Sequence, residues 1–265
     1  MKVAVIIPAA GAGERYKAQS PVGRSKLDEP LGDRPVLQRT VELFTKRDDV
    51  SAIIVAAPLD PDARADFDEK HADKLAILGA VVVPGGKTHR YETVAAALEH
   101  LPADATHVAV HDAARPATPM ELIDRLFAAA AKHPAVIPGL PVSDTLKRVA
   151  ESEAAADEPD PLDVVLGIAK GPRQERTVEQ TVDRAGLYAV QTPQVFELDL
   201  LRRAYAQPDL TSTDDAQLVE RLGEPVHVID ADARNIKITV PADLELARRI
   251  MGLRESGGRP THKRF

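Results

Sequence analysis

Short apolar, β-branched runs alternate with segments of helical spacing through the first 140 residues of the chain. Between the runs, apolar residues recur at intervals of three and four, as in Val36, Leu37, Val41 and Phe44, and in Val94, Ala97, Leu98 and Leu101. Strands that alternate with helices predict an α/β fold with a single doubly wound, mostly parallel sheet, covered by helices on both faces. The predicted strands are residues 3–7, 52–56, 80–83, 108–110 and 136–138.

The pattern changes between residues 141 and 191, where the sequence becomes alternating, acidic and rich in proline. We expect a protruding β-arm with a long solvated tip there. The α/β pattern then returns with predicted helices at 197–206, 214–222 and 241–254, and predicted strands at 226–229 and 237–239. The prediction is therefore one domain over residues 1–254 that includes the arm, followed by a loose tail at 255–265.

Composition narrows the class of protein. A hydrophobic content of 44% with 28% charged residues is typical of a globular enzyme, and no apolar run approaches the length of about 18 residues that a membrane span needs. The chain has no cysteine, which excludes disulfides, thiolate catalysis and thiolate-bound metals. The first apolar run fits a strand better than a signal peptide because Pro8 interrupts it early. We expect a cytoplasmic protein without membrane association.

Charge and aromatic content disfavour nucleic acid as a partner. The net charge is −7, from 34 basic and 41 acidic residues, so the surface as a whole repels polyanions. Aromatic residues are only 3% of the chain and there is no tryptophan, so stacking platforms for bases are not expected. A small phosphorylated substrate can still bind where a few arginines and lysines share one cleft.

The loop after the first strand consists of small residues and is followed by two cations. Small side chains let the main chain approach a polyphosphate and donate its N–H groups to it. Arg15 and Lys26 follow and can neutralise phosphate charge, so the layout predicts a nucleotide triphosphate pocket; the alternative is a simple tight turn. The small residues are Pro8, Ala9, Ala10, Gly11 and Gly13.

Two better-known glycine motifs do not fit this loop. The dinucleotide fingerprint needs a third glycine where Tyr16 stands, which weakens the hypothesis of an NAD-dependent dehydrogenase. The phosphate-binding loop of ATPases needs Gly-Lys-Ser/Thr five residues after its first glycine, and the first loop lacks it.

Loops at the carboxyl ends of parallel strands meet at one rim, so we expect residues 8–15, 84–90 and 111–116 to converge. Asp112 suits a divalent cation carried by a triphosphate, since magnesium needs only one or two carboxylates beside phosphate oxygens. An Asp112–Arg115 ion pair that only ties down the loop is an equal alternative. His111 is expected to hydrogen-bond neighbouring backbone.

Two further segments carry candidate residues. The turn at Gly85 and Gly86 leads into a helix start with Arg90 and Thr93, where free N–H groups can bind a base edge or an anion. Lys237 lies between apolar neighbours and is either on the solvent face of a strand or a phosphate ligand. Residues 213–215 predict a helix N-cap with acidic residues in the first turn.

In this order the segments resemble the 2-C-methyl-D-erythritol 4-phosphate cytidylyltransferases of the non-mevalonate isoprenoid pathway. The resemblance covers residues 2 to about 250. The matching blocks are Pro8-Ala9-Ala10-Gly11-x-Gly13, Lys26 with Gly32 and Pro35-Val36-Leu37, Arg90-x-x-Thr93-Val94, His111 to Pro116, Pro141-Val142-x-Asp144-Thr145-x-Lys147, Thr181-Val182-Asp183-Arg184-x-Gly186-Leu187, Gln191-Thr192-Pro193-Gln194, Thr213-Asp214-Asp215-Ala216 and Asn235-Ile236-Lys237-Ile238-Thr239.

The resemblance implies that a phosphate oxygen of methylerythritol phosphate attacks the α-phosphate of CTP and that pyrophosphate leaves. It implies four catalytic residues, Arg15, Lys26, Arg184 and Lys237. It implies Mg²⁺ bridging the triphosphate near Asp112. The implied CTP-binding residues are Pro8, Ala9, Ala10, Gly11, Gly13, Gly86, Arg90, Thr93 and Asp112, and the implied substrate-binding residues are Asp112, Arg115, Thr145, Arg184, Thr192, Thr213 and Lys237.

The resemblance also implies a homodimer whose arms, residues 141–191, exchange and complete the partner's site. The chain departs from the family pattern in the 11-residue separation of Arg15 and Lys26, so Arg24 is an alternative to Arg15, and in an arm insertion at about 149–176. A cytidylyltransferase for another sugar-alcohol phosphate, such as ribitol 5-phosphate, is the close alternative. A non-catalytic nucleotide-binding regulator is the alternative from another class.

Overall fold

A computed structural model describes residues 1–11, 13–20, 23–151 and 176–253. The chain divides into two compact units. The first consists of the described residues within 1–140 and 190–253, and the second of those within 141–189. The predicted tail and most of the predicted arm insertion lie outside the described residues.

The first unit is built on one large sheet. Its strands are β1 (Val3–Pro8), β4 (Val50–Ala57), β5 (Ala80–Pro84), β6 (His107–Val110), β7 (Ala135–Pro141), β11 (Gln194–Glu197) and β12 (His227–Asp230). The strand order is β7-β11-β6-β1-β4-β5, and β12 also pairs with β7. The pairs β1–β4, β1–β6, β4–β5 and β12–β7 are parallel, whereas β11 is antiparallel to both β6 and β7.

Helices cover both faces of this sheet. Alternate residues of β1 enter two separate hydrophobic clusters: Val3 and Val5 belong to one cluster, and Ala4 and Ile6 to the other. A strand that is buried on both faces needs a helical layer on each side, which confirms the predicted doubly wound, mostly parallel sheet.

Local sequence accounts for the helix bounds. Pro61 begins α3, and the Asp60 side chain accepts a hydrogen bond from Ala63 N at 3.0 Å, so the helix is capped at its start. The helices are α1 (Glu14–Lys17), α2 (Val36–Glu42), α3 (Pro61–Ile77), α4 (Arg90–Leu98), α5 (Met120–Ala130), α6 (Leu198–Tyr205), α7 (Ala216–Arg221) and α8 (Pro241–Ile250). A short hairpin joins β2 (Pro30–Leu31) to β3 (Arg34–Pro35).

The second unit contains an antiparallel strand pair. The strands β8 (Leu146–Glu151) and β9 (Arg176–Val182) pair from Leu146 with Val182 to Glu151 with Arg176. Apolar side chains on these strands are open to solvent in the single chain: Val149 is 42% and Val178 is 59% exposed. The short strand β10 (Tyr188–Val190) lies at the boundary of the two units.

Two elements differ from the prediction. No strand forms at 237–239; that stretch is irregular and is held by a hydrogen bond from Ile238 N to Ala114 O at 2.8 Å. The strand β11, which sequence periodicity did not predict, inserts between β6 and β7. Across the described residues, no helix combines the length and apolar character needed to cross a membrane.

Candidate active site

A cleft of about 410 Å³ lies at the carboxyl ends of β1, β5 and β6. The three predicted loops converge there. The lining residues are Pro8, Ala9, Ala10, Gly11, Gly13, Lys26, Leu27, Gly86, Lys87, Thr88, His89, Arg90, Thr93, Asp112, Ala113, Ala114 and Lys237. The cleft therefore contains every CTP-binding residue implied by the resemblance, together with Lys26 and Lys237.

The glycine turn before α4 packs too closely for any side chain. A Cβ on Gly86 would lie 2.3 Å from Glu92 Cβ and 2.6 Å from Thr93 N. The Thr93 hydroxyl oxygen accepts a hydrogen bond from Gly86 N at 3.2 Å and donates to His89 O at 3.3 Å. The turn, the first turn of the helix and the Thr93 hydroxyl thus form one rigid wall of the cleft.

The start of α4 is closed by its own carboxylate. Glu92 Oε2 accepts hydrogen bonds from Thr88 N at 2.8 Å and from His89 N at 3.0 Å, which lowers the pKa of Glu92. This arrangement satisfies two free backbone donors at the helix start and fixes the path of the loop that carries Lys87.

Asp112 is the only acidic side chain among the residues that line the described cleft, and three cations surround it. Its Oδ2 lies 2.9 Å from Lys237 Nζ and 3.2 Å from Arg115 Nε, and its Oδ1 lies 3.5 Å from Arg90 Nε. Burial opposes ionisation, but the three positive charges outweigh it and hold the pKa of Asp112 well below its usual range. The carboxylate stays ionised and aligns cations from three separate segments.

Arg115 and Thr192 lie beneath the cleft. Both are buried; the guanidinium of Arg115 contacts Asp112 and donates to Asn235 O at 2.7 Å, and Thr192 Oγ1 accepts a hydrogen bond from Asp112 N at 3.0 Å. The Asp112–Arg115 ion pair that the sequence left as an alternative is present. Neither residue lines the cleft, so their substrate-binding roles stay predictions.

His111 supports the same region from the core. Its Nε2 lies 3.2 Å from Arg115 O, and its Nδ1 lies 3.2 Å from Thr192 Oγ1. Burial lowers the pKa of His111 to about 4, so the imidazole is neutral at physiological pH. A neutral ring that donates to Arg115 O and accepts from Thr192 satisfies both nitrogens, and His111 hydrogen-bonds neighbouring backbone as the sequence predicts.

Lys26 reaches the cleft from the segment before β2. Its Nζ donates a hydrogen bond to Ile238 O at 3.1 Å. Burial lowers the pKa of Lys26, and the charges of Lys237 and Arg15 lower it further against the opposing pull of Asp112. Arg15 is exposed on α1 and does not line the cleft, while Arg24 lies 4.0 Å from Glu29 Oε2.

The other predicted substrate ligands lie elsewhere. Thr213 is exposed, and its N and Oγ1 lie 2.9 and 3.3 Å from Gln217 Oε1. The predicted N-cap is wrong in register, because α7 begins at Ala216 and Asp214 Oδ1 accepts from Gln217 N at 3.1 Å. Thr145 and Arg184 are exposed residues of the second unit, where Arg184 donates to Ser143 O.

Sequence reasoning missed several residues that shape this site. Lys87 lines the cleft, and its place beside two glycines was the available signal. Asn235 is fully buried and donates to Gln191 Oε1 and Thr192 O, both at 2.8 Å. Asp215 is also fully buried and pairs with Arg90. These contacts of Asn235 and Asp215 join residues more than forty positions apart, so local spacing does not predict them.

Among the described residues that line the cleft, Asp112 supplies the one carboxylate that could face a metal ion. Among the described residues, no group of three or more histidine, cysteine, aspartate or glutamate side chains could hold a metal ion. Asp112 Oδ2 has two close cationic partners, whereas Oδ1 has only the 3.5 Å contact with Arg90. One carboxylate oxygen suits a magnesium ion that brings phosphate oxygens as its other ligands.

The charges in the cleft favour an anion. Lys26, Lys87, Arg90 and Lys237 line it with Asp112 as their counterion, although the whole chain carries a net charge of −7. Backbone of small residues on one side and flexible cations on the other is the arrangement that binds a polyphosphate.

Comparison with known proteins agrees with this chemistry. The family model of 2-C-methyl-D-erythritol 4-phosphate cytidylyltransferase matches residues 3–166 and 165–253. Curated relatives with that name include one from Frankia casuarinae, 41% identical with 94% of this chain and 81% of the relative covered. Another, from Nocardia farcinica, is 40% identical with 95% of each chain covered.

Solved structures show the same fold. A crystal structure of a 4-diphosphocytidyl-2C-methyl-D-erythritol synthase has a TM-score of 0.71 at 31% identity and covers 94% of this chain and 98% of its own. The 2-C-methyl-D-erythritol 4-phosphate cytidylyltransferase of Thermus thermophilus has a TM-score of 0.66 at 33% identity, covering 96% and 100%. With the family model matched from residue 3 to residue 253, the chain belongs to the 2-C-methyl-D-erythritol 4-phosphate cytidylyltransferase family and is a nucleotidyltransferase.

Proposed function

We propose that this enzyme transfers CMP from CTP to 2-C-methyl-D-erythritol 4-phosphate, giving 4-diphosphocytidyl-2-C-methyl-D-erythritol and pyrophosphate. The observation that carries the proposal is the cleft itself, in which a loop of small residues faces Lys26, Arg90 and Lys237 in a chain of this family. The cleft combines close backbone approach with preorganised positive charge, which are the two requirements of transfer to a phosphate.

The reaction exchanges one phosphoanhydride bond for another. A phosphate oxygen of methylerythritol phosphate forms a bond to the α-phosphorus of CTP, and the bond from that phosphorus to the oxygen bridging the α- and β-phosphates breaks. The electron pair leaves with pyrophosphate. Negative charge builds on the oxygens of the α-phosphate, so cations already in place stabilise the transition state more than the ground state.

Lys26 has the first role in that stabilisation. Its ammonium is fixed by Ile238 O and keeps two other N–H bonds for phosphate oxygens. Burial and the charge of Lys237 lower the pKa of Lys26, and the negative charge of a triphosphate would favour its charged form. Arg15 adds charge from α1, with Arg24 as the alternative source.

The cytosine base would lie against the wall made by Ala9, Ala10, Gly86 and Thr93. Ala9, Ala10 and Gly86, whose side chains are no larger than a methyl group, line this part of the cleft. The hydroxyl of Thr93 is anchored by Gly86 and His89. Backbone recognition suits a chain with few aromatic residues to stack on a base.

The second substrate would bind beside Asp112 and Lys237. The 2.9 Å ion pair between them fixes the ammonium of Lys237 for a substrate phosphate. Arg115 and Thr192 would shape the pocket from beneath by holding Asp112, since both contact it from buried positions. Thr213 and the arm residues Thr145 and Arg184 complete the proposed set of residues that bind methylerythritol phosphate.

Mg²⁺ is the proposed cofactor. It would be held by Asp112 Oδ1 together with the phosphates of CTP, because Oδ2 is already shared by Lys237 and Arg115. When bound, a divalent cation neutralises charge on the triphosphate and on the leaving pyrophosphate.

The proposed assembly is a homodimer in which the arm of each subunit completes the site of its partner. Exposed apolar residues of the arm support an interface there: besides Val149 and Val178, Leu187 is 40% and Tyr188 is 47% exposed in the single chain. A cytoplasmic location is also proposed, in line with a chain that contains no cysteine.

Pyrophosphate release by the purified protein with CTP and Mg²⁺ tests the choice of substrate. We expect release with methylerythritol 4-phosphate and little with ribitol 5-phosphate. Release with ribitol 5-phosphate alone would retain the chemistry and replace the substrate. Binding of CTP with no release from either acceptor would identify a non-catalytic nucleotide-binding protein instead.

A further inference from the structure

A row of charged contacts leads from the cleft wall into the core behind it. Arg90, the first residue of α4, has Nη1 2.8 Å from Asp215 Oδ2 and Nε 3.5 Å from Asp112 Oδ1. The hydroxyl of Tyr205 donates to the other oxygen of Asp215 at 2.5 Å. Asp215 has no exposed surface and lies next to Ala216, a member of a hydrophobic cluster. A buried carboxylate therefore connects the end of α6 to the cleft through Arg90.

Burial of the Asp215 carboxylate costs desolvation free energy, so fold stability is a weak explanation for its presence. A buried charge must be compensated by partners, and a buried ion pair is often no more stabilising than apolar residues of the same volume. Asp215 has two partners, the guanidinium of Arg90 and the hydroxyl of Tyr205. Its charge raises the pKa of Arg90 against burial, and burial together with Asp215 raises the pKa of Tyr205, so the phenol keeps the proton that it donates.

The contacts of Arg90 give Asp215 a role other than stabilising the fold. Asp112 contacts Arg90 only at 3.5 Å and has closer contacts with Lys237 and Arg115, at 2.9 and 3.2 Å. Without Asp215, the long side chain of Arg90 would have one distant anion to hold it and could fold onto Asp112. With Asp215 on the other side, the guanidinium is held between two carboxylates in the wall of the cleft.

We propose that Asp215 and Tyr205 are positioning residues that hold Arg90 in its CTP-binding orientation, an inference that rests on the proposed function. Neither residue lines the described cleft, so both act through Arg90. Arg90 begins α4 between Gly86 and Thr93, which belong to the wall assigned to the base, and it is not one of the four residues proposed to be catalytic. Their loss should weaken binding of CTP in the ground state and the transition state alike, which raises KM for CTP more than it lowers kcat.

Asp215→Asn is the first variant, because the amide keeps the shape of the side chain and removes its charge. We expect KM for CTP to rise about tenfold with kcat within about threefold of the unmodified enzyme. Tyr205→Phe removes one hydrogen bond and should raise KM about threefold. The phenylalanine variant keeps the ring in place, so it decides the question if Asp215→Asn does not fold.

Asp214→Asn is the matched control. Asp214 is the adjacent aspartate, but its oxygens bond to Gln194 Nε2 at 2.7 Å and Gln217 N at 3.1 Å, and no ion pair joins it to Arg90 in the described part of the chain. Its KM for CTP should stay within about twofold of the unmodified enzyme. An equal rise in KM for Asp214→Asn would overturn the proposal, because any loss of negative charge before α7 would then have the same effect.

A double-variant cycle separates positioning from stability. Arg90→Gln should itself raise KM for CTP, and Asp215→Asn added to Arg90→Gln should raise it by less than twofold more. Multiplication of the two single effects would show that Asp215 acts independently of Arg90 and would contradict the proposal. A lower melting temperature with unchanged KM for Asp215→Asn would assign that residue to stability alone.

Calorimetric binding of CTP distinguishes this inference from the proposed function. If the unmodified protein binds CTP without turnover, the proposed function fails, while a weaker dissociation constant in Asp215→Asn still supports positioning. If the unmodified enzyme releases pyrophosphate and Asp215→Asn binds CTP equally well, the proposed function stands and the positioning role is wrong.

Discussion

At the scale of single residues, positively charged side chains outnumber negatively charged ones in the cleft. Lys26, Arg90 and Lys237 line the described cleft, and Asp112 supplies the one carboxylate that is their counterion there. Because one carboxylate cannot neutralise three cations, the remaining positive potential is available to a triphosphate. Burial, and then the charge of Lys237, lower the pKa of Lys26.

Replacement of Lys26 by alanine should lower kcat by about 10²- to 10³-fold, by analogy with the loss of one preorganised donor to a developing oxyanion. Steady-state pyrophosphate release measures the effect. Lys132→Ala is the matched control, because Lys132 is exposed and does not line the cleft. Retention of more than a tenth of kcat in Lys26→Ala would show that another cation stabilises the α-phosphate.

Tyr16 gives a pH dependence that can be measured without substrate. Tyr16 follows Arg15 in α1 and is buried. Burial together with the charge of Glu29 raises the pKa of Tyr16 from 10 to about 12. Because the folded state holds this proton more tightly than the unfolded state, the stabilising contribution is complete below pH 10. It is lost as the pH rises towards 12.

We therefore expect the urea midpoint to fall between pH 9 and pH 11.5, and to fall less in Tyr16→Phe. Tyrosinate absorbance of the unmodified protein should include a titration at unusually high pH, that of Tyr16, which Tyr16→Phe lacks. Identical pH profiles of the two proteins would mean that Tyr16 titrates normally.

At the scale of elements, the turn before α4 depends on a residue without a side chain. A Cβ on Gly86 would meet the backbone of Thr93 and the Cβ of Glu92, neither of which can move without shifting the helix. Gly86→Ala should destabilise the fold by about 1–3 kcal/mol and raise KM for CTP, because it displaces the wall assigned to the base. Thermal unfolding and pyrophosphate release measure the two effects.

Gly11→Ala is the stability control for that variant, since a Cβ on Gly11 would meet no heavy atom within 4 Å in the described part of the chain, its sequence neighbours apart. Its melting temperature should match that of the unmodified protein. Equal loss of stability in the two variants would mean that the tight packing around Gly86 is not the cause.

Elements fixed by local pattern were predictable from the sequence, whereas those fixed by distant partners were not. The runs at 3–7, 52–56 and 80–83 became β1, β4 and β5 because consecutive apolar, mostly β-branched residues favour strands. The strand β11 has only four residues, and its antiparallel place between β6 and β7 depends on partners far along the chain. Residues 237–239 alternate like a strand, but the backbone bond from Ile238 N to Ala114 O is not continued into a ladder, so they stay irregular.

The same division holds for the site. The first loop, the Gly86 turn and Asp112 follow strands that the sequence predicts, so their convergence follows from the rule for parallel sheets. Whether Asp112 would face a ligand or an ion pair was open, and the structure gives it both a place in the cleft and a bond to Arg115. The partnership of Arg90 with Asp215 joins residues 125 positions apart, which spacing does not indicate.

At the scale of the whole molecule, the proposed exchange of arms predicts complementation between two inactive variants. Lys26 belongs to the first unit and Arg184 to the second, and each is proposed to be catalytic. If the arm of one subunit serves the site of its partner, a mixed dimer of Lys26→Ala and Arg184→Ala contains one doubly defective site and one intact site. Coexpression at equal levels should then recover about a quarter of the unmodified activity, because half of the dimers are mixed.

Each variant expressed alone is the control, together with the molar mass from light scattering. No recovery in mixed dimers would show that each arm serves its own subunit. A monomer that is fully active would exclude arm exchange altogether.

The transfer of a cytidylyl group to methylerythritol phosphate is tested most directly by following the phosphorus atoms. In ³¹P NMR of the unmodified enzyme with CTP, Mg²⁺ and 2-C-methyl-D-erythritol 4-phosphate, we predict loss of the acceptor monophosphate signal. Two mutually coupled diphosphate signals and free pyrophosphate should replace it in equal amounts. CMP and pyrophosphate with an unchanged acceptor signal, or an unchanged CTP spectrum, would contradict the proposed function.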